Sequence, residues 1–80
     1  MTDTYVIDNR IFRFIMGYSI REISLPKITE NLIEYIQSMG YDASIVDDKH
    51  RDYRIIEVDG HHFRIVRNKD WLRYDSKIID

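Results

Sequence analysis

The chain contains no cysteine, so neither a disulfide framework nor a thiolate metal site is available to it. Its longest uninterrupted apolar runs, 5–7 and 14–16, are three residues long, far short of the roughly 20 residues that span a bilayer. The first eight residues are acidic and lack the basic start and apolar stretch of a signal peptide. We therefore expect a cytoplasmic protein with no membrane partner.

The chain also lacks an excess of charge of either sign. Twelve lysines and arginines stand against fourteen aspartates and glutamates, which gives a net charge of −2. Residues 1–40 carry four basic and five acidic side chains, and residues 41–80 carry eight and nine. Neither half therefore has the basic excess that is typical of a nucleic-acid surface.

Signatures of catalysis are missing as well. Eighty residues indicate a single domain over 1–80, with little room for a deep substrate pocket. Gly17, Gly40 and Gly60 are the only glycines, so no glycine-rich phosphate loop is present. His61 and His62 are adjacent on a predicted strand and point to opposite faces, where they cannot easily chelate one ion. We expect no enzyme activity, no cofactor and no metal.

A helix is predicted over residues 25–39. Ser24 can accept a backbone hydrogen bond as the N-cap, and Pro26 fits the first turn, where its missing N–H costs nothing. Apolar residues then recur at helical spacing through Met39, with polar residues opposite. Gly40 can take the left-handed conformation that follows a helix.

A β-hairpin is predicted over 53–58 and 61–67. These segments flank Asp59-Gly60, the strongest short signal for a two-residue hairpin turn. Such a turn places Val58 opposite His61 and Ile56 opposite Phe63, on a face that should cover the helix. A short strand over 43–47 precedes the hairpin.

The two ends of the chain carry weaker signals. Residues 5–23 are rich in β-branched and aromatic side chains, which favours two or three strands, although part of this segment also fits a helix. At the other end, Asn68 can cap a short C-terminal helix, and Trp71 is expected in the core as the largest apolar residue. The predicted fold class is α+β: an antiparallel sheet packed on one main helix, with a short C-terminal helix.

From residue 25 onward the predicted order is helix, three strands and a helix. Across some 55 residues this order resembles that of the double-stranded RNA-binding domain, which implies a nucleic-acid-binding function. That family places a lysine cluster at the start of its second helix to contact phosphates. Here Asn68-Lys69-Asp70-Trp71 offers a single lysine beside an aspartate.

The second face of the hairpin is mixed in character and is the candidate binding surface. Arginine and aromatic residues of this kind dominate protein-binding hot spots, and the same mixture can bind single-stranded nucleic acid. The alternatives are that an N-terminal strand or the C-terminal helix covers this face, or that the edge 64–67 pairs across the axis of a homodimer. The residues expected to form the surface are Tyr53, Ile55, Glu57, His62, Arg64, Arg67, Arg73 and Tyr74.

These observations favour a small non-enzymatic protein that binds another protein. Ile is abundant and Ala43 is the only alanine, a bias typical of A+T-rich genomes such as those of phages and mobile elements. We therefore expect a regulator or inhibitor of that type. The alternative is a nucleic-acid-binding domain.

Overall fold

The structure is a computed structural model that describes residues 3–80. It contains two α-helices and one antiparallel sheet of four strands, and the predicted α+β class is confirmed. The elements are α1 (Thr4–Ile15), α2 (Leu25–Ser38), β1 (Ala43–Asp47), β2 (Tyr53–Val58), β3 (His61–Asn68) and β4 (Arg73–Ile78).

Residues 4–15 form a helix, the alternative that the sequence left open, and the prediction of strands there is wrong. Asp3 caps α1, because its side chain accepts a hydrogen bond of 2.8 Å from the backbone N–H of Tyr5. Ile7, Ile11 and Ile15 then recur every four residues and are fully buried. The burial of this stripe outweighs the strand preference of β-branched residues, which is a weak and context-dependent tendency.

Helix α2 begins and ends where the sequence predicts, within one residue. The Ser24 hydroxyl accepts a hydrogen bond of 3.3 Å from the N–H of Lys27, and Pro26 lies in the first turn. At the other end Gly40 takes a φ of +92°, the left-handed conformation expected after the C-cap. The buried face consists of Leu25, Ile28, Thr29, Leu32, Ile33 and Ile36.

The four strands form a meander in the order β1-β2-β3-β4. The predicted hairpin register is confirmed, with Val58 opposite His61 and Ile56 opposite Phe63. Asp59 and Gly60 take φ values of +48° and +84°, as a two-residue turn with both residues left-handed requires. β1 pairs with β2 and is interrupted by an irregularity between Ile45 and Asp47.

The C-terminal segment is the strand β4, and the prediction of a helix there is wrong. Asn68 caps a turn instead, since its side-chain oxygen accepts a hydrogen bond of 3.1 Å from the N–H of Trp71. After this turn the side chains alternate, with Tyr74 buried and Lys77 exposed. The order from residue 25 is therefore one helix and four strands, so the final helix of the RNA-binding order is replaced by a strand.

Both helices pack on one face of the sheet. The core joins the three isoleucines of α1 and the apolar face of α2 to alternate residues of β2, β3 and β4, namely Ile56, Val58, Phe63, Ile65 and Tyr74. The single main helix of the prediction is thus corrected to two helices. In the described part of the chain, neither helix is long and apolar enough to cross a membrane. The opposite face of the sheet is covered by no element within residues 3–80.

Candidate binding surface on the sheet

The uncovered face of the sheet, called the outer face below, holds six of the eight predicted site residues. Strand pairing sets Glu57 opposite His62 and Ile55 opposite Arg64. These residues alternate with buried ones on the same strands, so their side chains lie on the side away from the helices. The N-terminal segment lies on the helix side as α1, and the C-terminal segment is strand β4 of the sheet itself, so neither covers this face. The six residues are Tyr53, Ile55, Glu57, His62, Arg64 and Arg73.

The other two predicted residues, Tyr74 and Arg67, lie on the helix side, and their assignment to the outer face is wrong. Tyr74 is 1% exposed, and its hydroxyl donates a hydrogen bond to the carbonyl oxygen of Ile23. Burial raises the pKa of Tyr74, while the charge of Arg67 acts in the opposite direction. Arg67 is paired directly opposite Tyr74, and its guanidinium lies 3.7 Å from the Asp52 carboxylate.

Arg64 lies over an aromatic ring in the middle of the outer face. Its guanidinium carbon is 4.6 Å from the centroid of the Tyr53 ring, a cation–π geometry. The imidazole of His50 stacks on the same tyrosine, with centroids 4.1 Å apart and an angle of 17° between the planes. Nε of Arg64 is buried and has no hydrogen-bond partner within residues 3–80. These contacts hold the guanidinium in place without neutralising its charge.

Lys77, which the sequence analysis missed, extends this positive charge. It is exposed on β4 and lies directly opposite Arg64. In the described residues neither side chain forms an ion pair with a carboxylate. Like charges directly opposite each other on neighbouring strands are destabilising. A negatively charged group bound between the two would relieve that repulsion.

The carboxylates of the outer face already have partners. Asp75 accepts hydrogen bonds from Arg73 Nε at 2.9 Å and from Asn68 Nδ2 at 2.8 Å. Glu57 lies 3.8 Å from Nε2 of His62, the cross-strand pair that the hairpin register predicts. The uncompensated positive charge of this face is therefore confined to Arg64 and Lys77.

The two adjacent histidines do lie on opposite faces of β3, but both reach one carboxylate. Nδ1 of His61 is 2.8 Å and Nδ1 of His62 is 3.1 Å from oxygens of Asp80. The backbone N–H of His62 also donates to Asp80 and, as the main cause, lowers the pKa of this carboxyl. Among residues 3–80 no group of three histidine or carboxylate side chains is placed to hold a metal ion.

Trp71 lies on the surface, and the prediction that it belongs to the core is wrong. Its side chain is 72% exposed in the turn between β3 and β4. The Arg73 guanidinium carbon is 5.9 Å from the centroid of its ring. Tyr74, three residues later along the chain, occupies the core at this end of the sheet instead.

The predicted homodimer edge is not available. Residues 64–67 belong to β3, which is paired with β2 on one side and with β4 on the other.

Comparison of the chain with family models, with curated proteins and with solved structures finds no match. A functional proposal for this chain therefore rests on its own side chains.

Proposed function

We propose that this is a non-enzymatic binding protein that contacts another protein through the outer face of its sheet. One observation carries the proposal: Arg64 is held over Tyr53, without a carboxylate partner, on a sheet face that no described element covers. An arginine stacked on an aromatic ring loses little side-chain freedom when it binds. Such a residue is a typical centre of a protein interface.

The neighbours of Arg64 support a protein partner with an acidic group at the centre of contact. Ile55 and Val66 lie half-buried beside the arginine and offer apolar area. Lys77 adds a second positive charge, while paired polar residues surround the centre. A small apolar and cationic centre inside a polar rim is the usual anatomy of a protein interface.

The biological setting of the proposal rests on composition. A short chain rich in isoleucine and poor in alanine suits a regulator or inhibitor of the kind that phages and mobile elements encode. The absence of cysteine suits a cytoplasmic site of action.

The proposal is tested by affinity capture from a lysate of the source organism with the tagged wild type and matched variants. Charge reversal by Arg64→Glu, alone and together with Arg73→Glu, is expected to abolish the capture of a specific protein. Arg13→Glu is the control, because Arg13 is exposed on α1, on the other side of the sheet. Circular dichroism checks that every variant is folded. If Arg64→Glu captures the same proteins as the wild type, the outer face is not the binding surface.

A nucleic-acid-binding function is the second candidate. Trp71 is exposed beside Arg73, and Arg64 and Lys77 are unneutralised. Exposed aromatic rings next to cations can stack bases and contact phosphates of a single strand. The candidate rests on these side chains alone, since the order of elements no longer resembles that of the RNA-binding family.

A further inference from the structure

Arg67 and Tyr74, the two predicted site residues that are absent from the outer face, meet in a groove on the helix side. The groove has a volume of about 340 Å³ and lies between the start of α2, the turn before it, the loop between β1 and β2, and the paired ends of β3 and β4. Its polar lining consists of Arg21, Glu22, Ser24, Arg51, Arg67 and Tyr74. Its apolar lining consists of Ile20, Ile23, Leu25 and Pro26.

Three arginines from three separate segments line this one groove. Arg21 comes from the turn before α2, Arg51 from the β1–β2 loop and Arg67 from β3. Glu22 is the only carboxylate among the lining residues. The lining therefore carries a net charge of about +2 at neutral pH, although the whole chain has a net charge of −2.

Two of the three guanidinium groups are unneutralised in the described part of the chain. Arg21 and Arg51 are exposed and form no ion pair with a carboxylate there. Arg67 lies 3.7 Å from Asp52, but Lys69 approaches the same oxygen more closely, at 3.3 Å. Exposed arginines are common, but their convergence on one concave site is a feature of anion recognition.

The start of α2 contributes to the same electrostatic field. Ser24 and Leu25, the N-cap and first residue of the helix, line the groove. The first turn of α2 contains no acidic side chain, so the positive end of the helix dipole is not offset within the helix itself. This contribution adds to the field of the arginines and does not replace it.

We propose that this groove binds a phosphomonoester dianion through Arg21, Arg51 and Arg67. A phosphomonoester carries a charge of about −1.5 to −2 at neutral pH and three acceptor oxygens, which matches the charge and the donors of the groove. Arginine forks contact two oxygens at once and so favour phosphate over a spherical anion such as chloride. The site is separate from the outer face and does not depend on the function proposed there.

The test is an NMR titration of the ¹⁵N-labelled protein with inorganic phosphate and with a nucleoside monophosphate, with chloride replaced to keep the ionic strength constant. We expect saturable shifts of the amides around Arg21, Arg51 and Arg67, with a dissociation constant of about 1 mM or below. Equal affinity for the two ligands would mean that the groove contacts the phosphate group alone. Tighter binding of the nucleotide would mean that it also contacts the organic part of the ester.

Variants test whether the arginines of the groove are responsible for phosphate binding. Arg21→Gln and Arg51→Gln are each expected to weaken phosphate binding about tenfold, as the loss of a charged hydrogen bond does. Arg13→Gln removes the same charge outside the groove and should leave the affinity unchanged. The outer-face variant Arg64→Glu should also keep its phosphate affinity, which separates this result from the test of the proposed function. The absence of saturable shifts, or an equal loss in Arg13→Gln, would overturn the proposal.

Discussion

At the scale of single residues, Tyr74 connects the sheet to the turn before α2. Its ring is part of the core, and its hydroxyl donates to the carbonyl of Ile23. This hydrogen bond is partly buried, so each group has limited access to water as an alternative partner. Loss of one partner from such a pair costs more than the pair itself contributes, because the remaining group stays desolvated.

The substitution Tyr74→Phe keeps the ring and removes only this hydroxyl. We expect it to lower the free energy of unfolding by about 1–2 kcal/mol. Trp71→Phe is the control, because Trp71 is largely exposed and should change stability by less than about 0.5 kcal/mol. Urea unfolding followed by far-UV circular dichroism measures both. Equal effects of the two substitutions would mean that the Tyr74 hydroxyl does not stabilise the fold.

At the scale of elements, α1 carries apolar residues on both its buried and its exposed sides. Ile7, Ile11 and Ile15 are fully buried, whereas Tyr5 and Phe12 on the same helix are exposed apolar residues. Apolar character therefore does not distinguish the core side of α1 from its solvent side. What distinguishes them is the four-residue repeat of the isoleucines against β4 and α2.

This difference leads to a direct test of how α1 is held. Ile11→Ala removes a side chain with no solvent exposure and is expected to destabilise the protein by about 2–5 kcal/mol. Phe12→Ala removes a larger side chain that is 41% exposed, and it should cost less than about 1 kcal/mol. Thermal and urea unfolding of the two variants give the comparison. The reverse order would mean that the other side of α1 faces the core.

The elements that sequence analysis predicted are those with local stop and start signals. Ser24, Pro26 and Gly40 delimit α2, and Asp59-Gly60 fixes the register of the hairpin. These signals act through neighbouring backbone groups, so they do not need the rest of the fold.

The elements that sequence analysis missed depend on tertiary contacts. The β-branched residues of α1 are helical because their stripe is buried against other elements. β4 follows a turn that contains no glycine and in which Leu72 takes a left-handed φ of +54°, a conformation that leucine rarely adopts. Asn68, which caps this turn, suits the N-cap of a helix equally well, so β4 was not predicted.

The outcome for the predicted site residues also depended on which elements were predicted. Alternation along the predicted hairpin placed Tyr53, Ile55 and Arg64 on one face without any knowledge of the helices. Arg67 was misplaced although alternation along β3 already sets it on the side of Phe63 and Ile65. Tyr74 was misplaced because it lies on β4, which was not predicted. Lys77 was missed for the same reason.

At the scale of the whole molecule, positive charge is concentrated on opposite sides of one sheet. Arg64 and Lys77 lie on the outer face, and the arginines of the groove lie on the helix side. The net charge is nevertheless −2, so carboxylates elsewhere dominate the long-range field. A negatively charged ligand is therefore attracted at two separate sites and not along one continuous positive surface.

This arrangement opposes binding of single-stranded nucleic acid, whose affinity depends on cations that follow the backbone over several nucleotides. Trp71 is the only tryptophan and is exposed beside Arg73, so its fluorescence reports on any strand that stacks there. We expect titration with single-stranded DNA and RNA at about 50 mM salt, where non-specific affinity is strong, to leave that fluorescence unchanged. Duplex RNA is titrated in parallel, because the predicted order of elements resembled that of the double-stranded RNA-binding domain.

Quenching at micromolar nucleic acid that disappears steeply as salt is raised would contradict this expectation, because it would reveal phosphate neutralisation over several sites. Repetition with Arg64→Glu and with Arg51→Gln would then locate those sites. Loss of quenching in both variants would mean that the nucleic-acid strand runs from the outer face to the groove around the edge of the sheet. Such a path would make nucleic acid, and not an acidic protein, the partner that best explains why both cationic surfaces are present in one small chain.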